Sequence, residues 1–373
     1  MTASQTGIST QAVLSMRGGG YYSERTYGAK QAIDKMLPIV QDALKPHAGA
    51  AGVVRVADYG AADGGTSREM WFKAFEGLRQ GGDTREIAIT YTDLPSNDFS
   101  TLFRTMQGLQ GDTALAYQKV LDDVFVYGCG TGFHTQLFPA GTLDLGFSAT
   151  AMHYLSQKPC EISTHCHAVG AEGDEAAAFA EQARADWERI LLARAAELKS
   201  GGRMICLNFG IDEQGRHLGT TGGAHMFNLF DRFWGELRDE GKISQTEYQR
   251  ATFVQYYRTL EEFTAPLKDP SSPVSKAGLK LVEAFSSYTR CPYEAKFAES
   301  AGAMSGADFA KTLIPTMRSW SETVYLTALD ARPRDEAQAL VDDFYQRYED
   351  HVAAAPQGHA MDYIHIVVVM EKA

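Results

Sequence analysis

Two acids in this sequence stand where a ligand could meet them. Asp58 closes the apolar run VVRVAD and leads into the glycine-rich stretch YGAADGGTS; Asp93 closes EIAITYTD and leads into LPSND. A carboxylate at the end of a first strand suits a ligand with a positive amino group. One at the end of the next strand suits a ribose diol, because its oxygens can accept two hydroxyl protons. Glycines such as Gly60 let backbone approach a ligand, and the helix that follows offers free N–H groups at its start. The spacing is neither the G-x-G-x-x-G of dinucleotide enzymes nor the G-x-x-x-x-G-K-[ST] phosphate loop. Taken singly, each acid reads equally well as a helix N-cap or a turn residue; placement at successive strand ends favours the ligand reading. A second cluster, Cys160, His165, Cys166 and His167 in CEISTHCH, has metal-capable side chains. It lacks the short C-x-x-C or H-x-x-x-H spacing of a structural zinc, so no metal is expected.

Elements must hold these residues together. Strands are expected at residues 53–58, 86–93, 124–130 and 142–149 and in RMICLNFG, with helical patterns such as REMWFKAFEGLR between them. A charged, alanine-rich helix covers residues 174–199, broken by Gly201 and Gly202. Strand alternating with helix predicts an α/β fold: a parallel sheet with helices on both faces and ligands at the carboxyl ends of its strands. From about residue 211 to 332 the periodicity turns helical, with proline-rich loops, before a final helix (AQALVDDFYQRYEDHV) and a final strand (MDYIHIVVVMEK). Four segments follow: residues 1–50, an N-terminal lid and first helix; 51–210, a ligand-binding core; 211–332, a mainly helical cap; and 333–373, a final helix and strand that complete the core sheet.

A formal net charge of -12 argues against a nucleic-acid partner, which usually meets a basic excess. No apolar run approaches the roughly 20 residues needed to span a bilayer. The N-terminus lacks the basic start and apolar stretch of a signal peptide. Five scattered cysteines fit a reducing compartment better than a disulfide framework. These features together predict a cytoplasmic protein without a membrane partner.

Several segments, in order, resemble the SABATH family of carboxyl and N-methyltransferases. MRGGGYYSERTYGAKQ is similar to the family's N-terminal segment, which closes over cofactor and substrate. VADYGAADGGTS is similar to I-A-D-L-G-C-S-S-G-P-N-T, and YTDLPSNDFSTLF to L-N-D-L-P-x-N-D-F-N-x-[IL]-F, the most specific match. GCGTGFHTQLFPAGTLDLGFSATAMHYLSQKP, GGRMICLNFG and FVQYYRTLEEF continue the likeness through most of the chain. The resemblance implies a Rossmann-like class I methyltransferase sheet with a helical cap, S-adenosylmethionine as cofactor, a small carboxylic acid as substrate, and a homodimer.

By position, the resemblance implies Asp58 near the methionyl end of the cofactor and Asp93 on the ribose, with Gly60 in the turn between. Leu94 flanks the adenine and Phe133 packs on it. Gly132 stands where the family often has serine, Thr66 where it has asparagine, and Thr26 where a serine meets the methionyl carboxylate. The glutamine and tryptophan that often hold the substrate carboxylate are replaced by Ala29, with Gln31 nearby, and by Tyr154, preceded by His153. His153 and Tyr154 are therefore the expected anchors, with Tyr22, Gln31, Thr150, Phe230 and Trp234 as further substrate contacts. Tyr21 and Tyr22 belong to the lid, and Met226, Phe227, Phe233, Met317 and Trp320 offer apolar lining, though core packing explains these residues equally well.

The implied reaction is an in-line displacement onto a carboxylate, which is already ionised at neutral pH and needs no general base. Neutral donors suit it better than a bidentate arginine, because charge is neutralised as the reaction proceeds. The sequence leaves open a fatty or a simple aromatic acid, an N- or O-methylated neutral molecule, and a non-catalytic homologue that only binds the cofactor.

Overall fold

The computed structural model describes residues 25–45 and 51–373. Its strands are β1 (Val54–Tyr59), β2 (Ile87–Asp93), β3 (Val124–Gly130), β4 (Leu143–Ala149), β5 (Leu198–Ile211), the two-residue β6 (Arg258–Thr259), β7 (Leu279–Thr289) and β8 (Tyr363–Lys372). The sheet runs β3-β2-β1-β4-β5-β8-β7, with β6 beside β5. From β3 to β5 the pairing is parallel; β8 runs antiparallel to both β5 and β7. The first strand lies between β2 and β4, so the winding reverses there and opens a crevice at the carboxyl ends.

Burial explains the sequence pattern. The run YIHIVVVM of β8 is buried throughout because it lies between β5 and β7 with both faces covered. Helices α1 (Tyr27–Asp34), α2 (Leu37–Leu44) and α3 (Arg68–Gln80) cover one face. Ile33, Val40, Trp71 and Phe75 there meet Ile89, Phe147, Ile205 and Val367. Helix α4 (Gly173–Glu197) covers the other, setting Trp187, Ile190 and Leu191 against Met204, Ile366 and Val368. Over β1 to β3 this second face stays open, and Arg55, Phe125 and Tyr127 meet solvent.

Three expectations change. Within 211–332, expected to be a mainly helical cap, β7 instead joins the main sheet and forms its edge. Its LKLVEAFSSYT is half-exposed and shifts register between Leu281 and Glu283, which breaks the alternation a strand normally displays. The final helix, α7 (Arg334–Ala354), does not cover the sheet. It packs with α5 (Met226–Asp239) and α6 (Gly306–Ala328) in the cap, where Phe344 and Tyr348 meet Phe230 and Tyr325. Gly201 and Gly202 do not end the long helix, which stops at Glu197. They form a bulge within β5, where a side chain on Gly202 would press to 2.8 Å from the Leu143 carbonyl. No helix of the described residues is long and apolar enough to cross a membrane.

Candidate active site

The turn after β1 is built around two carboxylates. Gly60 and Ala61 donate their N–H groups to the Thr92 carbonyl at 2.8 and 3.1 Å, which ties the turn to the end of β2. Gly60 has φ +74, and a Cβ there would lie 2.3 Å from the Ala151 Cβ, so only glycine lets the two loops close on each other. Asp93 accepts from the N–H of Ala62 on one oxygen and from that of Leu94 on the other, both at 2.7 Å. Burial raises its carboxyl above the ordinary range, against the pull of those two N–H donors. Asp58 accepts from Ser67 Oγ at 2.7 Å and Trp71 Nε1 at 2.8 Å, both on Oδ2. Burial raises its carboxyl to about 6, and the nearby Asp93 charge adds to the shift.

These residues line one cavity. Asp58, Gly60, Thr66, Asp93, Leu94, Gly132 and Phe133 all face it, together with Thr150 and Tyr154. The loop carrying Phe133 is held from α4. Arg194, 1% exposed, donates to the carbonyls of Phe133 and Thr135 at 2.9 and 2.8 Å and pairs with the equally buried Glu197 at 2.7 Å. Glu197 also accepts from the Tyr59 hydroxyl at 2.6 Å, so the same ion pair braces the end of β1.

A second cavity adjoins the first. Thr150 and Tyr154 face both, and Thr26, His153, Phe209, Leu218, Gln255, Tyr257, Trp320, Met361 and Tyr363 complete the second. Thr150 holds a left-handed φ of 52 and donates its N–H to the Leu207 carbonyl at 2.7 Å, at the point where β4 turns out of the sheet. His153 is buried, with its ring 4.7 Å from that of Tyr154 and 5.0 Å from that of Phe209. Burial, aided by His365 and Arg258, holds its imidazole well below the usual range, so it is neutral at pH 7.

Some expected residues lie elsewhere. Thr26 faces the second cavity, not the first, because α1 crosses the start of β8. A Cβ on Gly28 would meet the Tyr363 ring at 2.3 Å. Gln31 is half-buried on α1 and lines neither cavity. Phe230 and Trp234 are fully buried among cap helices: Trp234 lies 4.8 Å from the Tyr325 ring, and Phe230 5.6 Å from that of Tyr348. Both belong to the apolar stripe of α5, so packing, not substrate contact, explains them. Tyr21 and Tyr22 lie outside the described residues. In CEISTHCH, Cys166 donates to the Phe227 carbonyl and His167 stacks on the Phe227 ring at 4.1 Å. Among the described residues no group of three His, Cys, Asp or Glu side chains is placed to hold a metal.

Sequence reasoning did not single out Phe209, Leu218, Gln255, Tyr257, Met361 or Tyr363, which line the second cavity. Phe209 could have been found, since it sits at the carboxyl end of a parallel strand. Met361 and Tyr363 reach the same side because β8 runs antiparallel, which brings its beginning to that edge.

The sequence profile of the family described as SAM dependent carboxyl methyltransferase matches residues 11–373. Gibberellic acid methyltransferase 1 of Arabidopsis thaliana is 29% identical over 301 residues, 69% of this chain and 74% of that protein. Indole-3-acetate O-methyltransferase 1 of the same plant is 32% identical over 201 residues, 49% of this chain and 50% of its own. The solved structure of loganic acid methyltransferase with SAH covers 96% of this chain and 98% of its own, with a TM-score of 0.73 at 18% identity, a likeness of fold. The chain belongs to the SABATH family of S-adenosylmethionine-dependent carboxyl methyltransferases.

Proposed function

We propose that the first cavity holds S-adenosylmethionine and the second a small organic acid, and that the enzyme joins them as a methyl ester. The observation that carries this reading is the wall common to both cavities, Thr150 and Tyr154. The residues of the first cavity fit the cofactor chemically. Asp93 offers two oxygens to a diol, Asp58 a buried carboxylate to a cationic amino group, and Leu94 and Phe133 apolar faces to a purine. A Cβ at Gly132 would approach Leu94 to 3.3 Å, so glycine there leaves room between loop and turn.

When bound, the cofactor supplies a methyl group on a cationic sulfur. The chain's task is then positioning: holding a carboxylate oxygen roughly 3 Å from that carbon and keeping water out, an arrangement that can contribute on the order of 7–11 kcal/mol. Tyr154, as hydroxyl donor, and neutral His153 anchor the carboxylate. Neither carries a full positive charge, so neither holds the anion more firmly than the ester-forming state requires. No lysine or arginine faces the second cavity among the described residues.

Between a fatty and a simple aromatic acid, the aromatic walls favour the latter: Phe209, Tyr257, Trp320 and Tyr363 all line the second cavity. Relatives named for indole-3-acetate and for benzoic and salicylic acids act on ring-bearing acids too. The test is a panel of benzoate, salicylate, indole-3-acetate, octanoate, xanthine and phenol with S-adenosylmethionine, read by mass spectrometry. Methyl esters of the aromatic acids are expected. Methylation confined to xanthine or phenol would overturn the carboxylate reading, and binding of cofactor with no product from any compound would overturn catalysis.

A further inference from the structure

Resting on that reading, we propose that Gln255 is a further donor to the substrate carboxylate, delivered to the site by the cap. The segment around it is paired with the segment that carries the anchors. Leu155 donates its N–H to the Val254 carbonyl and Tyr256 donates to that of His153, both at 3.0 Å. Those two bonds flank the bridge between Tyr154 and Gln255. The bridge is thus a non-hydrogen-bonded antiparallel pair, the kind whose Cα atoms come to about 4.5 Å and whose side chains share one face most closely. Both side chains of the pair line the second cavity.

The carboxamide is 2% exposed and held from behind. The Tyr257 hydroxyl donates to its Oε1 at 3.2 Å and the buried His167 imidazole interacts with the same amide as a donor, which leaves the Nε2 hydrogens as the group offered to a ligand. A carboxylate has about four lone-pair sites, whereas a phenol supplies one hydrogen and a neutral imidazole one; an amide nitrogen brings two more. Gln255 therefore completes the donor set, and does so without adding charge.

The experiment compares the wild-type chain with Gln255→Leu and Gln255→Glu, using whichever of benzoate, indole-3-acetate and octanoate the wild type esterifies best. Gln255→Leu should raise KM for the acid tenfold or more while the Kd for S-adenosylhomocysteine stays within twofold. Gln255→Glu keeps size and shape but brings a negative charge at pH 8. It should lose still more there and regain activity as pH falls to 6, when the new carboxyl takes up a proton and can donate. A KM within twofold of wild type for Gln255→Leu, or a pH profile for Gln255→Glu matching that of wild type, would overturn the assignment. If Gln255→Leu fails to fold, the nearly isosteric Glu variant carries the test alone. A wild-type chain that esterifies none of the acids overturns the proposed activity itself, a result distinct from loss in the variants only.

Discussion

Asp58 is held by a hydroxyl and an indole N–H in a place that raises its carboxyl to about 6. A cation bound beside it favours the ionised form and must draw that value down. The sign follows: below about pH 6 the free protein carries a proton on Asp58 that the cofactor has to displace, and above it none. Affinity for S-adenosylmethionine should therefore rise through pH 6 and level off beyond, changing about tenfold per unit on the acid side. Titration calorimetry near pH 6 in two buffers of different ionisation enthalpy should register proton release on binding. No release, with an affinity flat from pH 5 to 8, would separate Asp58 from the cofactor. Asp58 and Asp93 were legible in the sequence because each ends an apolar run, and a strand end is where such a sheet meets its ligands. Gln255 was not, because its importance comes from the partner strand at residues 153–155, and no local spacing announces a pairing across a hundred residues.

Between residue and molecule stand the elements that aim these groups. Helix α4 does more than cover the sheet: its last turn carries Arg194, which grips the loop of Phe133, and Glu197, which grips the end of β1. Arg194→Met should cost about 3–5 kcal/mol of stability, because it strands a buried carboxylate and two carbonyls. Adding Glu197→Gln should recover part of that loss by removing the uncompensated charge, yet leave cofactor affinity low, since the Phe133 and Thr135 carbonyls still lack the donor that sets their part of the loop. Denaturant unfolding and calorimetry on both variants separate the two effects; full recovery of affinity in the double variant would refute the bracing role. The long helix was plain from its composition, and six strands from their apolar runs. Strand β7 was not, since an edge strand with a bulge has neither continuous burial nor clean alternation. The orientation of α1 was also beyond reach, as it depends on Gly28 meeting the Tyr363 ring, which sets Thr26 against the second cavity.

At the scale of the whole molecule, separate apolar cores meet at one seam. Each face of the sheet carries one, the cap helices form another, and the ribbon of residues 153–155 with 254–256 runs beside both cavities over a smaller cluster of Leu155, Val254 and Phe179. Thr150 and Tyr154 belong to the walls on either side of that seam. Whatever enters first fixes residues that the second guest also needs, so the second meets a smaller ordering cost. Reciprocity then obliges the two affinities to improve by one common factor. Saturating benzoate should tighten S-adenosylhomocysteine at least about fivefold, and the converse measurement should return the same ratio; independent affinities would deny the shared wall any part in recognition. The consequence reaches past the reaction itself. Where methyl donor is scarce, this protein would hold its acid about fivefold less tightly, and so would be a poorer reservoir for the unesterified compound than its affinity in the presence of donor suggests.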